Sequence, residues 1–252
     1  MMSEEELALR LSRQLVYSSN PLRRWWLSRY VKIKGLLWKV TIQTAKSIKR
    51  LIDLISSGVL ILILSPILIL IALIIRKDGG PVFFKQSRVG YRGREFGMLK
   101  FRSMCVDAEA RLADLMAQNE KKDGITFKME NDPRVTSIGR FIRKTSIDEI
   151  PQLINVWKGE MSLVGPRPPL PKEVEKYSLE DRRRLLATPG MTCLWQIGER
   201  EGKLFEVGDR NQIEFDEQVG LDVKYIESQS LIRDLLILVK TVPAVLLGKG
   251  GV

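Results

Sequence analysis

Asp148 and Glu149 are adjacent carboxylates in a stretch with no other acid between Asp132 and Glu160. Arg134, Arg140, Arg143, Lys144 and Lys158 lie around them in the chain, with Arg167 a little further on. Paired carboxylates among cations suit acid/base or nucleophilic work, and they also suit a plain helix start. Ser146-Ile147-Asp148-Glu149 matches the S-x-x-E capping box, and acids in a first turn complement the helix macrodipole. Pro151 is awkward as the fifth residue of such a helix and fits better as the opener of PQLINVWKG, with both acids just ahead of it. In either version they lie where backbone N–H groups favour anions. Spacing alone leaves capping and chemistry open.

The rest of the composition narrows the chemistry. The chain has no histidine, so a Ser-His-Asp triad, a Cys-His pair and a His-ligated zinc site are excluded. Cys105 and Cys193 are the only cysteines and read as reduced thiols, not a disulfide or metal framework. Reactive groups must therefore be carboxylates, Lys, Tyr, Ser or Cys. Gly165-Pro166-Arg167-Pro168-Pro169 is a stiff turn whose prolines limit the backbone around one arginine. A guanidinium presented in this way suits bidentate recognition of phosphate, although the same turn could be a plain rigid loop. From Arg76 to Met104 there are eight Lys/Arg against two acids, which is either a solvated face or a phosphate-gathering one. Neither the acidic pair nor the proline turn is decisive singly, but the combination is.

The elements that must position these residues can be read in outline. Val82-Phe83-Phe84 and Glu95–Phe101 read as strands of a hairpin around Gly90–Gly93. Residues 105–120 are helical by period, KKDGITFKMENDPRV is a loop, and residues 135–144 alternate apolar and basic side chains. KEVEKYSLEDRRRLLATPG is a charged helical stretch. MTCLWQIG reads as a strand, with Trp195 as core or as a platform for a base. Leu231 to Leu247 is amphipathic but interrupted by Arg233, Asp234 and Lys240, so it reads as interfacial helix or core.

Upstream, Leu54 to Ile75 is a charge-free run of 22 residues. At ~1.5 Å per residue it reaches roughly 33 Å, enough to cross a bilayer core of ~30 Å. Ser65-Pro66 at its middle removes a backbone donor and favours a bend, and the Ser65 hydroxyl can meet the freed groups. Both flanks are basic (Lys46, Lys49 and Arg50 before, Arg76 and Lys77 after), and basic flanks prefer the cytoplasmic side. A segment that enters one leaflet and returns keeps both flanks on one face; a kinked spanning helix is the alternative. Residues 1–20 read as a short helix with Leu7, Leu11 and Leu15 aligned. The run LRRWWLSRYVKIKGLLWKV interleaves cations with Trp25, Trp26, Tyr30 and Trp38, as a helix in the headgroup layer requires. An ordinary surface helix is the other reading. The net charge of +11 is concentrated here, with 11 Lys/Arg against three acids in residues 1–50. Beside an apolar segment this charge favours anionic phospholipid over nucleic acid. No cleavable signal peptide is visible, since the apolar run begins far too late.

Three parts follow: a basic amphipathic extension (1–45), a re-entrant membrane segment (46–77, break at Ser65-Pro66) and a catalytic domain (78–252). With 44% hydrophobic residues the chain can bury a core. The expected fold is mixed α/β, mainly helical with a small β-hairpin or sheet, in a monotopic membrane protein with interfacial amphipathic helices.

The order of motifs resembles a known family. An apolar segment with Ser-Pro at its centre is followed by RVGYRGREFGMLKFRSM, by NDPRVTSIGRFIRKTSIDEIPQLINVWKGEMSLVGPRP and by PGMTCLWQI. This is similar to the bacterial sugar transferases, or monotopic phosphoglycosyl transferases, from about Lys46 to the C-terminus. The resemblance implies transfer of a sugar-1-phosphate from a UDP-sugar to polyprenyl phosphate, releasing UMP and starting a lipid-linked glycan. It implies Asp148 as nucleophile, forming a phosphosugar-aspartate, and Glu149 as its partner in holding Mg²⁺. It places Lys100, Arg143, Arg167 and Pro166 at the substrate phosphates, on the cytoplasmic face of the bacterial inner membrane. Carboxylate nucleophiles are an established route for covalent phosphoryl transfer, which depends on positioning and charge neutralisation. The basic extension of about 45 residues is intermediate between the larger and smaller family patterns, and leaves homo-oligomerisation open. The competing readings are a non-catalytic scaffold on anionic lipid and, on charge alone, a nucleic-acid binder. No residue selects the sugar.

Overall fold

The computed structural model describes residues 21–111, 129, 132–197 and 215–246. Two compact units are present, Met1–Leu51 and Ile52–Val252. Helix α1 (Pro21–Arg76) is followed by an antiparallel hairpin, β1 (Phe83–Val89) and β2 (Glu95–Phe101). Then come α2 (Ser137–Lys144), α3 (Gln152–Lys158), β3 (Ser162–Val164), α4 (Pro171–Val174), β4 (Gly190–Thr192), α5 (Phe215–Glu227) and α6 (Leu231–Leu246). The described fold is mainly helical, with two small sheets, one antiparallel and one the parallel β3–β4 pair. The expected helix over residues 1–20 lies outside the described residues, as do most of residues 105–120 and the loop that follows them.

In the first unit, the part of α1 from Pro21 carries its apolar and aromatic residues exposed, including Trp25, Trp26, Ile33, Leu37 and Trp38. Arg29 sits over the Trp25 ring at 4.6 Å and Lys34 over Tyr30 at 5.0 Å, so the cations and rings pair one helical turn apart. Such pairs keep the guanidinium and ammonium groups beside apolar surface without burying them.

In the second unit, one stripe of α1 packs inward. Asp53, Ser57, Ile71 and Ile75 are buried, and Ile61, Leu64, Leu68 and Ala72 pack on the core between them. The spacing follows the 3.6-residue helical period. The opposite face, Leu62, Ile63, Leu70 and Leu73 among others, is exposed and apolar. Ser65 and Pro66 lie inside the helix. Pro66 has no N–H for the Leu62 carbonyl, and the Ser65 hydroxyl donates to that same oxygen at 2.8 Å. The helical run therefore passes through the proline with the orphaned acceptor satisfied.

Two apolar clusters make the core. The larger joins Met98, Leu153, Val156, Leu163, Val164, Leu194, Trp195, Tyr225 and Ile237. The smaller joins Ile71, Ile75, Phe101 and Ile142. Trp195 is only 7% exposed, so it is core and not an open platform. The charged stretch after Pro169 folds as α4 and a 3₁₀ segment, Asp181–Leu186, and the MTCLWQIG strand is shortened to β4. Helix α6 is amphipathic in an inverted sense. Asp234 and Lys240 face inward, while Ile232, Leu235 and Val239 are each more than 60% exposed. Ile237 joins the larger cluster, and the apolar face left exposed on the other side of the helix suits contact with lipid.

Candidate active site

Asp148 and Glu149 lie on a single 3₁₀ turn, Ile147–Glu149, between α2 and α3. The flanking isoleucines fix it from both sides: Ile147 packs on the smaller core cluster and Ile150 on the larger. Ser146 adopts a left-handed backbone (φ 55°) and makes no capping bond through its side chain, so the capping-box reading does not hold. Pro151 takes the N-cap place of α3, and Gly159 ends that helix in the left-handed conformation, as the Pro–Gly punctuation suggests.

The KFRSM segment supplies the facing wall, with each residue differently employed. Lys100 Nζ meets Glu149 Oε1 at 2.7 Å. Phe101 enters the smaller cluster. Arg102 Nη2 donates to the Ile75 carbonyl at 3.0 Å and its Nε to Pro81 O at 2.6 Å, tying the end of α1 to β2. Ser103 Oγ accepts from Arg143 Nε at 2.8 Å, and its carbonyl accepts from Thr136 N at 3.1 Å. A Cβ on Gly139 would stand 1.9 Å from that carbonyl, so only glycine lets α2 approach. Arg143 is thereby held at the strand end, where its charge acts on Asp148.

Asn155, which the sequence did not single out, sets the register of this wall. It is fully buried on α3. Its Oδ1 accepts from Leu99 N at 3.0 Å and its Nδ2 donates to Gly97 O at 2.9 Å. One amide thus bolts the helix that follows the dyad to the strand carrying Lys100.

Asp148 is 8% exposed and, among the described residues, forms no ion pair. Burial pushes its carboxyl up to about 6, with the Lys100 charge opposing, the Glu149 charge adding and the Arg143 charge opposing. Arg143 is held below the ordinary arginine value by burial, against the pull of Asp148 and Asp132. The dyad is therefore asymmetric: Glu149 is neutralised by a lysine, and Asp148 is desolvated beside cations it does not touch. A partly dehydrated carboxylate is a stronger nucleophile than a solvated one, and the cations offset the approach of an anionic reactant.

The proline turn is fixed by contacts of its own. Pro166 and Pro168 are buried and Arg167 is half-buried between them. Pro166 O accepts from Gly190 N at 2.9 Å, and Gly165 N donates to Thr192 O at 3.0 Å, which locks the turn onto β4. Arg88 was also missed by the sequence reading, lying unremarked in a generally basic run. It is buried, and its Nη1 donates to Pro168 O at 3.0 Å. Burial first and the Arg167 charge second hold its guanidinium down at about 10, so it remains cationic at neutral pH. Lys100 pairs with Glu149 and the charges of Lys100 and Arg143 act on Asp148, while Arg88, with Arg167 beside it, feels the charge of Glu149; Ser65 and Pro66 belong to α1.

The sequence-family model for bacterial sugar transferases matches residues 44–248. The chain belongs to that family. Among curated relatives of the chain, the galactosyl transferase CpsE of Streptococcus agalactiae is 50% identical over 203 residues, covering 81% of this chain and 43% of the relative. The undecaprenyl-phosphate galactose phosphotransferase of Salmonella typhimurium is 41% identical over 215 residues, covering 83% and 42%. The exopolysaccharide production protein ExoY of Rhizobium meliloti is 39% identical over 207 residues, covering 81% and 87%. The aligned region thus makes up about two-fifths of the first two relatives and most of the third.

Proposed function

We propose that this sugar transferase moves a sugar-1-phosphate from a UDP-sugar to polyprenyl phosphate through a covalent phosphosugar-aspartate at Asp148. The observation that carries this reading is the dyad itself: an aspartate that is buried and, among the described residues, without an ion pair, beside a lysine-paired glutamate and within the field of Arg143. The names of relatives that act on undecaprenyl phosphate support the acceptor class. Asp148 Oδ attacks the phosphorus that bears the sugar and UMP departs with the electron pair of the broken P–O bond. A phosphate oxygen of the lipid then attacks the same phosphorus and restores the carboxylate. Lys100, Arg143 and Arg167 supply the positive charge that lets two anionic reactants meet a carboxylate.

Mg²⁺ fits the donor set. Among the described residues no cluster of three metal-ligating side chains forms, and Mg²⁺ is commonly held by one or two carboxylates plus substrate phosphates. Asp148 and Glu149 are the residues that would hold it. Its chemistry there would be neutralisation of phosphate charge.

Monotopic association at the cytoplasmic face of the bacterial inner membrane completes the proposal. Both ends of the apolar stretch are tied to the same unit: Asp53 Oδ1 accepts from Leu163 N at 3.1 Å, and the Ile75 carbonyl accepts from Arg102. A segment fastened at both ends to a charged domain does not straddle a ~30 Å hydrocarbon core unless that domain enters it too. In this reading the segment enters one leaflet and returns to the same face, which asks the helix that runs unbroken through Pro66 in this structure to bend there in the bilayer, and the exposed faces of α1 and α6 meet lipid. The cation–indole pairs of α1 suit anionic headgroups, and no nucleic-acid role is needed to explain the charge. A homo-oligomer is compatible with this arrangement.

The test is incubation of radiolabelled UDP-sugars with the purified chain and polyprenyl phosphate. A labelled lipid product with stoichiometric UMP is the expected result. Absence of product across a panel of UDP-sugars would leave the scaffold reading instead.

A further inference from the structure

Two side-chain bonds clasp the end of β2 to the segment that carries the dyad. Lys100 Nζ meets Glu149 Oε1 at 2.7 Å, and Ser103 Oγ accepts from Arg143 Nε at 2.8 Å. Asp148 lies in the chain between the two clasped positions, Arg143 and Glu149. The backbone between them is one hydrogen-bonded run: Ser146 N donates to Arg143 O at 3.0 Å, and Glu149 N donates to Ser146 O at 3.2 Å. Arg143 and the dyad turn are therefore joined by main chain and held to one strand end at two points.

Ser103 is a firm base for its clasp. It is buried, and its carbonyl accepts from Thr136 N at 3.1 Å and from Thr136 Oγ1 at 3.3 Å. Its neighbour Arg102 donates its backbone N–H to Val82 O at 2.9 Å and its Nη2 to Ile75 O at 3.0 Å. These bonds fix the backbone on either side of the hydroxyl and do not use it. Among the described residues, the one bond of that hydroxyl is to Arg143.

The choice of anchor has a consequence for the guanidinium. Ser103 takes the N–H on Nε, and among the described residues no acceptor meets those on Nη1 and Nη2. An arginine gripped at Nε has its last torsions fixed, and it keeps the paired Nη groups that match two phosphate oxygens. A carboxylate in the place of Ser103 would hold the same nitrogen but cancel the charge. A hydroxyl orients the side chain and leaves its full positive charge for an anion.

We infer that Ser103 is a positioning residue for the transfer: its neutral hydroxyl fixes Arg143 through Nε so that both Nη groups are presented, already oriented, to phosphate oxygens of the donor. The inference rests on the transferase reading above. Ser103 itself touches no reacting atom, and its contribution is the orientation that a freely turning arginine would have to find anew in each turnover.

The experiment is a double-mutant cycle on UMP release by the detergent-solubilised full chain, supplied with labelled UDP-sugar and polyprenyl phosphate. Ser103→Thr and Ser103→Val introduce side chains of one shape, so any packing strain is shared and their difference reads the hydroxyl alone. Ser103→Val should release UMP about tenfold or more slowly than Ser103→Thr. When Arg143→Gln is added to both, that difference should vanish, because the hydroxyl then has no guanidinium to orient. Equal rates for the two single variants would overturn the inference. So would a Thr–Val difference that persists undiminished beside Arg143→Gln, which would give the hydroxyl a role in the fold or on the substrate. An Arg143→Gln chain as fast as the unmodified one would overturn it as well. If either single variant fails to fold, Ser103→Ala is compared with Ser103 on both backgrounds and decides by the same criteria. An unmodified chain that releases no UMP from any UDP-sugar of a panel defeats the transferase reading itself, an outcome distinct from these.

Discussion

Lys100 Nζ stands 2.7 Å from Glu149 Oε1, while the adjacent Asp148 forms no ion pair among the described residues. One lysine thus separates two neighbouring carboxylates into a neutralised member and a reactive one. Removing it should damage chemistry more than folding, since the pair is partly exposed (18% and 29%) and such pairs contribute little stability. Lys100→Met should lower the rate of UMP release by about two to three orders of magnitude and leave the thermal midpoint nearly unchanged. A loss under threefold would show that Lys100 does not serve the dyad.

Asn155 has the opposite profile. Its amide satisfies Leu99 N and Gly97 O in a fully buried place, so Asn155→Leu strands both backbone groups. Each buried unsatisfied group costs about 1–3 kcal/mol, and denaturant unfolding in detergent should show a loss of that order or more. The side chain touches no reacting atom, and activity should fall only because Lys100 shifts from the dyad. Unchanged stability would remove the bolt between α3 and β2.

Asp148 carries a stability cost that follows from its function. Its carboxyl lies at about 6 in the folded chain, against an ordinary 3.8. The folded state holds this proton more tightly than the unfolded one, so stability falls as pH rises from about 4 to about 6 and levels off above. Asp148→Asn escapes that penalty. The variant should be more stable than the unmodified chain at pH 7–8, by on the order of 2 kcal/mol, with the advantage vanishing near pH 4. Equal thermal midpoints at pH 7.5 would contradict the burial of an ionised carboxylate. The first transfer should correspondingly gain rate as pH rises through about 6.

The membrane segment is tested by labelling. Single cysteines replacing Lys46 and Lys77, in a chain with Cys105 and Cys193 changed to serine, should both react with an impermeant reagent from one side of sealed vesicles. Labelling from opposite sides would establish a spanning helix. Packing gives a second handle: a Cβ on Gly58 would stand 2.4 Å from the Trp157 ring. Gly58→Leu should therefore cost about 1–3 kcal/mol by overpacking.

Much of this was legible in the chain itself. The hairpin declared itself by its Gly90–Gly93 turn, and α3 by Pro151 and Gly159, because backbone conformations that few residues accept leave a local mark. The dyad and Arg167 stood out because isolated acids and doubly proline-flanked arginines are rare. Arg88 and Asn155 did not stand out. An arginine in a basic run and an asparagine in an amphipathic helix acquire their roles only from partners about 60 to 80 residues away. Asp53 was overlooked for the same reason, since its acceptor role depends on Leu163, 110 residues on. The break expected at Ser65-Pro66 does not appear: the helical run continues through Pro66, with Ser65 occupying the carbonyl that proline leaves open.

The most direct test of the nucleophile is incubation with UDP-sugar labelled in the sugar phosphate, without any lipid acceptor, followed by acid quenching and gel separation. The unmodified chain should release UMP up to one equivalent and retain the label on protein, with the modified peptide containing Asp148. Asp148→Asn should do neither. Label on a different residue, or UMP release by the Asn variant at the rate of the unmodified chain, would contradict covalent transfer through Asp148.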